Sequence, residues 1–157
     1  MKLTYTPKEA LLKLEHFCAY QERCHAEVVS KLYSLKMTSD EIEVVVVQLI
    51  ESGFLNETRF ACSFARGKHR IKQWGTIRIT NELKARQISS TNITIALKEI
   101  SSEEYDITFQ QLSERCWENL REKDTLKKRK KFCDYMLRRG YESFLVYDRV
   151  KELEQNS

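Results

Sequence analysis

The side chains best suited to chemistry are basic and aromatic residues in the middle of the chain. They are Arg59, Arg66, Lys68, Arg70, Lys72, Trp74, Arg78, Lys84 and Arg86. Residues 58–100 hold nine Lys and Arg against two Asp and Glu, whereas residues 1–57 hold six against nine and residues 101–157 hold twelve against twelve. Such a concentration of positive charge favours an acidic or phosphate-bearing partner, and arginine and tryptophan often carry interface energy. We predict that these nine residues form a partner-binding surface. The alternative is that the charges are solvated and Trp74 fills a junction between helices.

A second basic run covers residues 127–131 and is followed by further cations. Five successive residues of a helix wrap more than one full turn, so they cannot all face one partner. We predict a secondary basic patch that would contact DNA phosphates in a salt-sensitive way. Its members are Lys127, Lys128, Lys131 and Arg138.

Four residues near the N-terminus have the side chains of metal ligands: His16, Cys18, Cys24 and His25. On a helix the first two point about 200° apart and the last two about 100° apart, so a single element does not chelate one ion. The chain also lacks a glycine-rich phosphate loop and a Gly-x-Ser-x-Gly elbow, and His69 has no carboxylate near it in sequence. We expect no metal, no cofactor and no catalytic activity.

The composition indicates a soluble helical protein in a reducing compartment. The chain has five Cys, an odd number, at positions that suit small buried apolar residues. Its longest apolar run, residues 42–50, is far shorter than the ~20 residues that span a bilayer, and the N-terminus has no signal-peptide pattern. We therefore expect a cytoplasmic location.

The elements that position the basic residues follow a pattern that recurs three times. Aligned without gaps, the three segments carry apolar residues in the same columns. The columns are Val28/Ile79/Phe132, Leu32/Leu83/Met136, Met37/Ile88/Tyr141, Ile42/Ile93/Val146, Val46/Leu97/Val150 and Leu49/Ile100/Leu153. A further pair of columns, Thr38-Ser39, Ser89-Ser90 and Glu142-Ser143, offers helix starts.

Each segment has about fifty residues, which is marginal for a self-sufficient core, so neighbouring segments must support one another. We predict an all-α fold of nine helices in three tandem three-helix repeats, residues 1–55, 56–100 and 101–157, forming an elongated, curved module. Arrays of this kind usually act as extended binding surfaces.

Local signals place most helix ends and raise one conflict. Thr6-Pro7 with Glu9 predicts a capped first helix, Asn56 and Ser101 are further caps, and Gly67 interrupts the helical pattern of the second unit before the Lys68–Gly75 segment. The run Val44–Val47 favours a strand, because four Val cost about 2 kcal/mol relative to Ala in a helix. Packing of the apolar columns commonly outweighs such a cost, so we predict a helix there.

Several of these segments resemble the RecX family of bacterial recombination regulators. The likeness covers nearly the whole length, and its most specific part pairs the run from Gly53-Phe54-Leu55-Asn56 to Arg59-Phe60-Ala61 with the downstream run from Gly75 to Leu83. Tyr20–Arg23 followed by Glu27 also looks like the family's link between its first two helices. The chain departs from the family in having Glu57 for a common Asp and Arg86-Gln87 for a common Lys-Gly pair. The absent glycine leaves the geometry of that turn open.

The resemblance implies a monomeric regulator that binds RecA in the helical groove of its filament. It further implies depressed ATP hydrolysis and strand exchange, and a role in homologous recombination, DNA repair and the SOS response. A different class stays open as the alternative, namely a basic helical module whose main target is single- or double-stranded nucleic acid. A purely structural adaptor is a third, weaker option.

Overall fold

The computed structural model describes residues 4–157, and this part of the chain is all-α, with nine helices and no strand. The helices are α1 Pro7–Tyr20, α2 His25–Ser34, α3 Ser39–Glu51, α4 Glu57–Lys72, α5 Thr76–Ala85, α6 Ser90–Leu97, α7 Ser102–Asn119, α8 Thr125–Arg138 and α9 Ser143–Gln155. The predicted all-α class is confirmed. The valine run lies inside α3, so packing does override local propensity there.

The core consists of three hydrophobic clusters that follow the chain order. The first is built by α1–α3, the second mainly by α4–α6 and the third by α7–α9. The extensive helix–helix contacts likewise lie within these three groups. We call the groups the first, second and third units. Two side chains connect the hydrophobic clusters of neighbouring units: Cys24, which precedes α2, is buried in the second cluster, and Tyr105 of α7 packs against both the second and the third.

Five of the six apolar columns are buried in all three units. The column of Val46, Leu97 and Val150 is the exception, because Val46 and Leu97 are only half-buried and the preceding Val45 and Ala96 are fully buried instead. The third unit has Arg149 at that preceding position. Its side chain is largely buried. The cost of burying the guanidinium is offset by a hydrogen bond from Nε to the Ser113 hydroxyl at 2.9 Å and by an ion pair with Glu152.

The second helix of every unit ends through a left-handed residue in the same column. Lys36, Gln87 and Gly140 have φ of 66°, 60° and 99°. In each case the following amide donates to a carbonyl five residues back, at 3.1–3.3 Å, which closes a Schellman turn. Gln87 therefore keeps the turn geometry although the usual glycine is absent.

Helix starts follow the sequence signals with one exception, and one predicted interruption is wrong. The Thr6, Thr38, Asn56, Ser89 and Ser101 side chains all accept from a backbone amide of their helix. Glu142 precedes α9 without such a bond. Gly67 does not interrupt its helix, since α4 continues through it to Lys72, with His69 completely buried. Tertiary packing thus outweighs the roughly 1 kcal/mol that a mid-helix glycine costs.

Candidate partner-binding surface

The basic centre of the chain lies on α4, α5 and the turn between them. Gln73 ends α4 in a left-handed conformation with φ of 59°. The buried His69 ring then fixes the turn, because its Nδ1 lies 2.9 Å from the Trp74 carbonyl. Since that oxygen can only accept, Nδ1 carries the proton. The other ring nitrogen, Nε2, is buried and has no hydrogen-bond partner among residues 4–157.

This turn packs directly against the turn between α8 and α9. The Gly75 amide donates to the Arg139 carbonyl at 2.8 Å, and the Ile77 amide donates to the Gly140 carbonyl at 3.0 Å. A Cβ on Gly75 would lie 2.3 Å from the Gly140 oxygen, and one on Gly140 would lie 2.4 Å from Arg78 Cβ. We call this backbone contact the glycine joint, and only glycine fits at its two centres.

Aromatic and acidic side chains surround the glycine joint. The rings of His69, Tyr105 and Tyr141 follow one another with centroids 5.3 and 5.4 Å apart. Glu142 accepts from the Thr76 hydroxyl at 2.8 Å and from the Tyr105 hydroxyl at 2.5 Å. Burial, followed by the hydrogen bond to Glu142, raises the pKa of Tyr105. The phenol therefore stays a donor to Glu142 at all physiological pH values.

The first and second units meet through side chains. Arg59 forms an ion pair with Glu22, and its Nη2 donates to the Gly53 and Phe54 carbonyls at 3.0 and 3.2 Å. The hydrogen bond to Glu22 raises the pKa of the Arg59 guanidinium. We call this contact the arginine joint. Beside it, a groove of about 460 Å³ separates the α1–α2 link from α4, with Phe60 and Phe64 in its lining.

The eight cations among the nine predicted contact residues divide into two groups by their ion pairs. Four arginines are paired with carboxylates: Arg59 with Glu22, Arg66 with Glu99, Arg70 with Glu104 and Arg86 with Glu82. Two of these pairs link different units, since Glu22 lies in the first and Glu104 in the third. The hydrogen bond from Arg70 lowers the pKa of Glu104. These arginines therefore have structural partners within the chain.

The remaining four cations have no carboxylate partner within residues 4–157: Lys68, Lys72, Arg78 and Lys84. Two of them lie over the half-exposed Trp74 ring, with Lys68 Nζ 5.1 Å and Arg78 Cζ 4.1 Å from its centroid. Their charge is thus held near an aromatic face and left available to an anion.

Sequence reasoning missed Phe64. Its ring stands edge-on to Trp74 with centroids 6.3 Å apart and also lies under Lys68 at 5.5 Å and Arg86 at 4.8 Å. The i, i+4 spacing of Phe64 and Lys68 was the available signal. We call Phe64, Lys68, Lys72, Trp74 and Arg78 the basic–aromatic strip. A depression of about 220 Å³ along α4 joins its first three members.

The four cations of the secondary patch on α8 also differ in whether they have partners within the chain. Lys128 lies over the Trp117 ring, 4.1 Å from the centroid, and Lys131 pairs with Glu122 at 3.1 Å. Lys127 and Arg138 are exposed. Lys127, Lys131 and Arg138 fall within about 40° of one another around the helix axis, so only Lys128 points away.

Other sites are not formed by the described residues. No three His, Cys, Asp or Glu side chains between residues 4 and 157 are grouped to hold a metal ion, and no helix there is long and apolar enough to cross a membrane. All five cysteines are free thiols. Burial raises the pKa of Cys116 to about 11, so this thiol is protonated at neutral pH.

The geometry therefore defines a class of protein: a helical protein of successive three-helix units with a basic–aromatic surface on the middle unit. Residues 56–97 match the family model described as RecX, second three-helix domain. The second unit of this chain is therefore similar to the second three-helix domain of RecX proteins.

Several proteins named Regulatory protein RecX are similar in sequence. The chain is 25% identical to the one from Lactobacillus gasseri over 67% of its own length and 45% of the relative's. Identity to the Bacillus cytotoxicus protein is 22%, over 94% of this chain and 55% of the relative. Identity to the protein from Lactococcus lactis subsp. cremoris is 32%, over 59% of this chain and 35% of the relative. The chain thus spans about half or less of the length of these curated relatives.

Crystal structures of RecX proteins have the same fold. RecX from Lactobacillus salivarius superposes with a TM-score of 0.81 at 21% identity, over 95% of this chain and 97% of that one. A second structure, of a regulatory protein RecX, gives a TM-score of 0.79 at 19% identity, over 93% of this chain and 73% of that one.

Proposed function

We propose that this protein binds the RecA recombinase in the groove of its filament and inhibits ATP hydrolysis and strand exchange, thereby modulating recombination and DNA repair. Similarity to proteins named Regulatory protein RecX supports the general role. We further propose that the repeats at residues 1–55, 56–100 and 101–157 are the modules that span the binding site.

The observation that carries the proposal is the unpaired charge of the basic–aromatic strip. Lys68, Lys72 and Arg78 have no carboxylate partner in the described chain, while the arginines around them do. An acidic surface would gain charge pairs there without breaking existing ones. Such complementarity mainly raises the encounter rate and fixes orientation, and Trp74 supplies a half-exposed anchor of the kind found at interface hot spots.

The structure-based contact set is narrower than the sequence-based one. We propose Lys68, Lys72, Trp74 and Arg78 as direct contacts, with the exposed Lys84 at the edge. The other four arginines stabilise the packing of the helices and do not contact the partner, because their guanidinium groups are already bonded within the chain. They are Arg59, Arg66, Arg70 and Arg86. Lys127 and Arg138 form a secondary contact with the partner or with DNA phosphates.

A nucleic-acid target is the second candidate function. The feature that favours it is the pair of rings in the strip, since Phe64 and Trp74 both lie beside Lys68 and Phe64 also lines a surface depression. Proteins that bind single strands combine a cationic groove with aromatic side chains on which bases stack. In this reading the effect on the recombinase would be secondary.

The DNA-dependent ATPase of RecA, measured with increasing amounts of this protein, tests the proposal. With single-stranded DNA already saturating, we expect inhibition that persists when more DNA is added. Loss of inhibition on adding DNA would instead identify DNA competition as the mechanism and overturn the filament-binding account.

A charge-reversal variant tests the surface. Lys72→Glu with Arg78→Glu should weaken inhibition about tenfold or more, since two charge pairs of about 1 kcal/mol each are replaced by repulsions. The matched control is Lys8→Glu with Lys151→Glu, which makes the same change in net charge at two exposed positions without ion pairs in the described chain. Equal effects of the two variants would remove the strip from the interface.

A further inference from the structure

The valine run of α3 is only partly explained by the core. Val45 is fully buried and Val46 half-buried, which accounts for two of the four residues. Val44 and Val47, however, are 54% and 45% exposed, and Ile50 on the same side is 45% exposed. Exposed β-branched residues lower helix stability relative to alanine without the compensation of burial. The three side chains therefore form an apolar stripe that folding alone does not require.

The stripe is not part of the repeated scaffold. The columns of Val44, Val47 and Ile50 hold Ile95, Lys98 and Ser101 in the second unit and Asp148, Lys151 and Glu154 in the third. The buried columns are apolar in all three units, whereas this combination occurs in the first alone. It is a property of α3 and not a consequence of the repeat.

Carboxylates flank the stripe on the same face of α3. Asp40, Glu43 and Glu51 are exposed, and none of them has an ion-pair partner within residues 4–157. At 100° per residue the three carboxylates and the three apolar side chains fall within an arc of about 120°. We call these six residues the acidic–apolar face.

One carboxylate of this face is also unfavourable to the helix that carries it. Residues 39–51 contain four Asp and Glu and no Lys or Arg. Glu51 is in the last turn of α3, which has no basic residue, and a negative charge there opposes the helix dipole. The exposed apolar members and Glu51 thus reduce local stability, whereas Asp40 in the first turn favours the helix; side chains that cost stability in this way are a common signature of a surface kept for binding.

We infer that the acidic–apolar face of α3 docks a basic amphipathic helix of the protein partner. The stripe covers the apolar side of that helix, and the three unpaired carboxylates pair with lysines or arginines beside it, as in helix-on-helix recognition. This inference rests on the proposed function, so the helix belongs to the recombinase. The protein then holds its partner through two faces of opposite charge, the basic–aromatic strip and α3.

The test measures binding to RecA filaments on single-stranded DNA, by fluorescence anisotropy of the labelled full chain. Val44→Ala, Val47→Ala and Ile50→Ala combined should weaken binding at least about tenfold. The thermal midpoint should stay the same or rise, because alanine is the better helix former. A second variant, Glu43→Lys with Glu51→Lys, should weaken binding and make it less sensitive to salt, again without loss of stability.

The matched control is Leu12→Ala with Ile107→Ala, which removes exposed apolar side chains from α1 and α7 and should leave affinity unchanged. If the triple alanine variant binds like the wild type while Lys72→Glu with Arg78→Glu does not, the inference fails and the proposed function stands. If the wild-type chain does not bind the filament, both fail.

A second copy of this chain is the other possible occupant of the acidic–apolar face. Sedimentation velocity without RecA tests for it. We expect a monomer at all concentrations for the wild type and the triple alanine variant. Concentration-dependent association of the wild type that the triple variant lacks would mean that a second copy covers the face, and would overturn the inference.

Discussion

The two joints between units use different means to hold helices together. The glycine joint joins the second and third units through backbone hydrogen bonds between residues that cannot accept a Cβ. The arginine joint joins the first and second through one exposed guanidinium, which bonds a carboxylate and two carbonyls. Backbone contacts fix distance and angle, whereas an exposed ion pair is screened by salt and exchanges with water. The arginine joint is therefore the weaker and more adjustable of the two joints, and beside it the first unit contributes the buried Cys24 to the second cluster.

The largest effect is expected from Gly140→Ala in the glycine joint. The new Cβ would lie 2.4 Å from Arg78 Cβ, on a residue with φ of 99°, so either the joint separates or both turns distort. We expect a loss of about 3 kcal/mol or more in the free energy of unfolding, measured by urea denaturation. Gly67→Ala is the control, because no described atom beyond its chain neighbours and its own helix backbone lies within 4 Å of its Cβ position, and it should stabilise α4 by about 1 kcal/mol. A Gly140→Ala protein as stable as the wild type would show that the joint is not close-packed.

A smaller loss is expected from Arg59→Met in the arginine joint. Methionine keeps the apolar stem but loses the ion pair and both carbonyl bonds, so we expect a cost of about 1 kcal/mol that shrinks at high salt. Thermal denaturation at low and high salt measures it. Arg66→Met removes an ion pair within the second unit and should cost less, about 0.5 kcal/mol. If Arg59→Met cost as much stability as Gly140→Ala, the arginine joint would not be the weaker of the two joints.

A gain in stability of similar size is expected at the left-handed turn of the second unit, which lacks the glycine found at the same position in the third unit. Gln87 occupies the column of Gly140 and has φ of 60°, a conformation that costs a residue with a side chain about 1–2 kcal/mol. Gln87→Gly should therefore raise stability by about 1 kcal/mol after the entropy cost of glycine. Lys36→Gly in the first unit provides the parallel measurement. Destabilisation by both would indicate that their side chains contribute more than the strain removes.

The smallest expected effect is on the stability of the protein at acid pH. The hydrogen bond from Arg70 lowers the pKa of Glu104 below its usual 4.5 in the folded chain. The unfolded chain therefore binds the proton more readily, and the stabilisation is complete above the unfolded pKa and disappears as pH falls through the folded one. Urea midpoints from about pH 6 down to about pH 3 should decrease slightly less for Glu104→Gln than for the wild type. An identical decrease would mean that this exposed pair adds nothing to the link between the units.

Much of the fold was accessible from the sequence because its signals are local and repeated. Spacing and caps predicted the helices, and five columns predicted the core. The helical continuation through Gly67 was missed because the burial of His69 depends on Tyr105, far along the chain. The division of the nine candidate residues was missed for the same reason, since Arg59, Arg66 and Arg70 find carboxylates more than thirty residues away. Partner binding by the basic–aromatic strip stays a prediction.

The start of α9 has a consequence for how the chain unfolds. Glu142 stands at the cap position but bonds Thr76 and Tyr105 and leaves the first turn of its own helix without a side-chain cap. The residue before the last helix is thus bonded to Thr76 of the second unit and to Tyr105 of its own unit, while α3 and α6 are capped by their own Thr38 and Ser89. In hydrogen exchange, the second and third units should open together as one cooperative foldon, and the first should open at lower free energy.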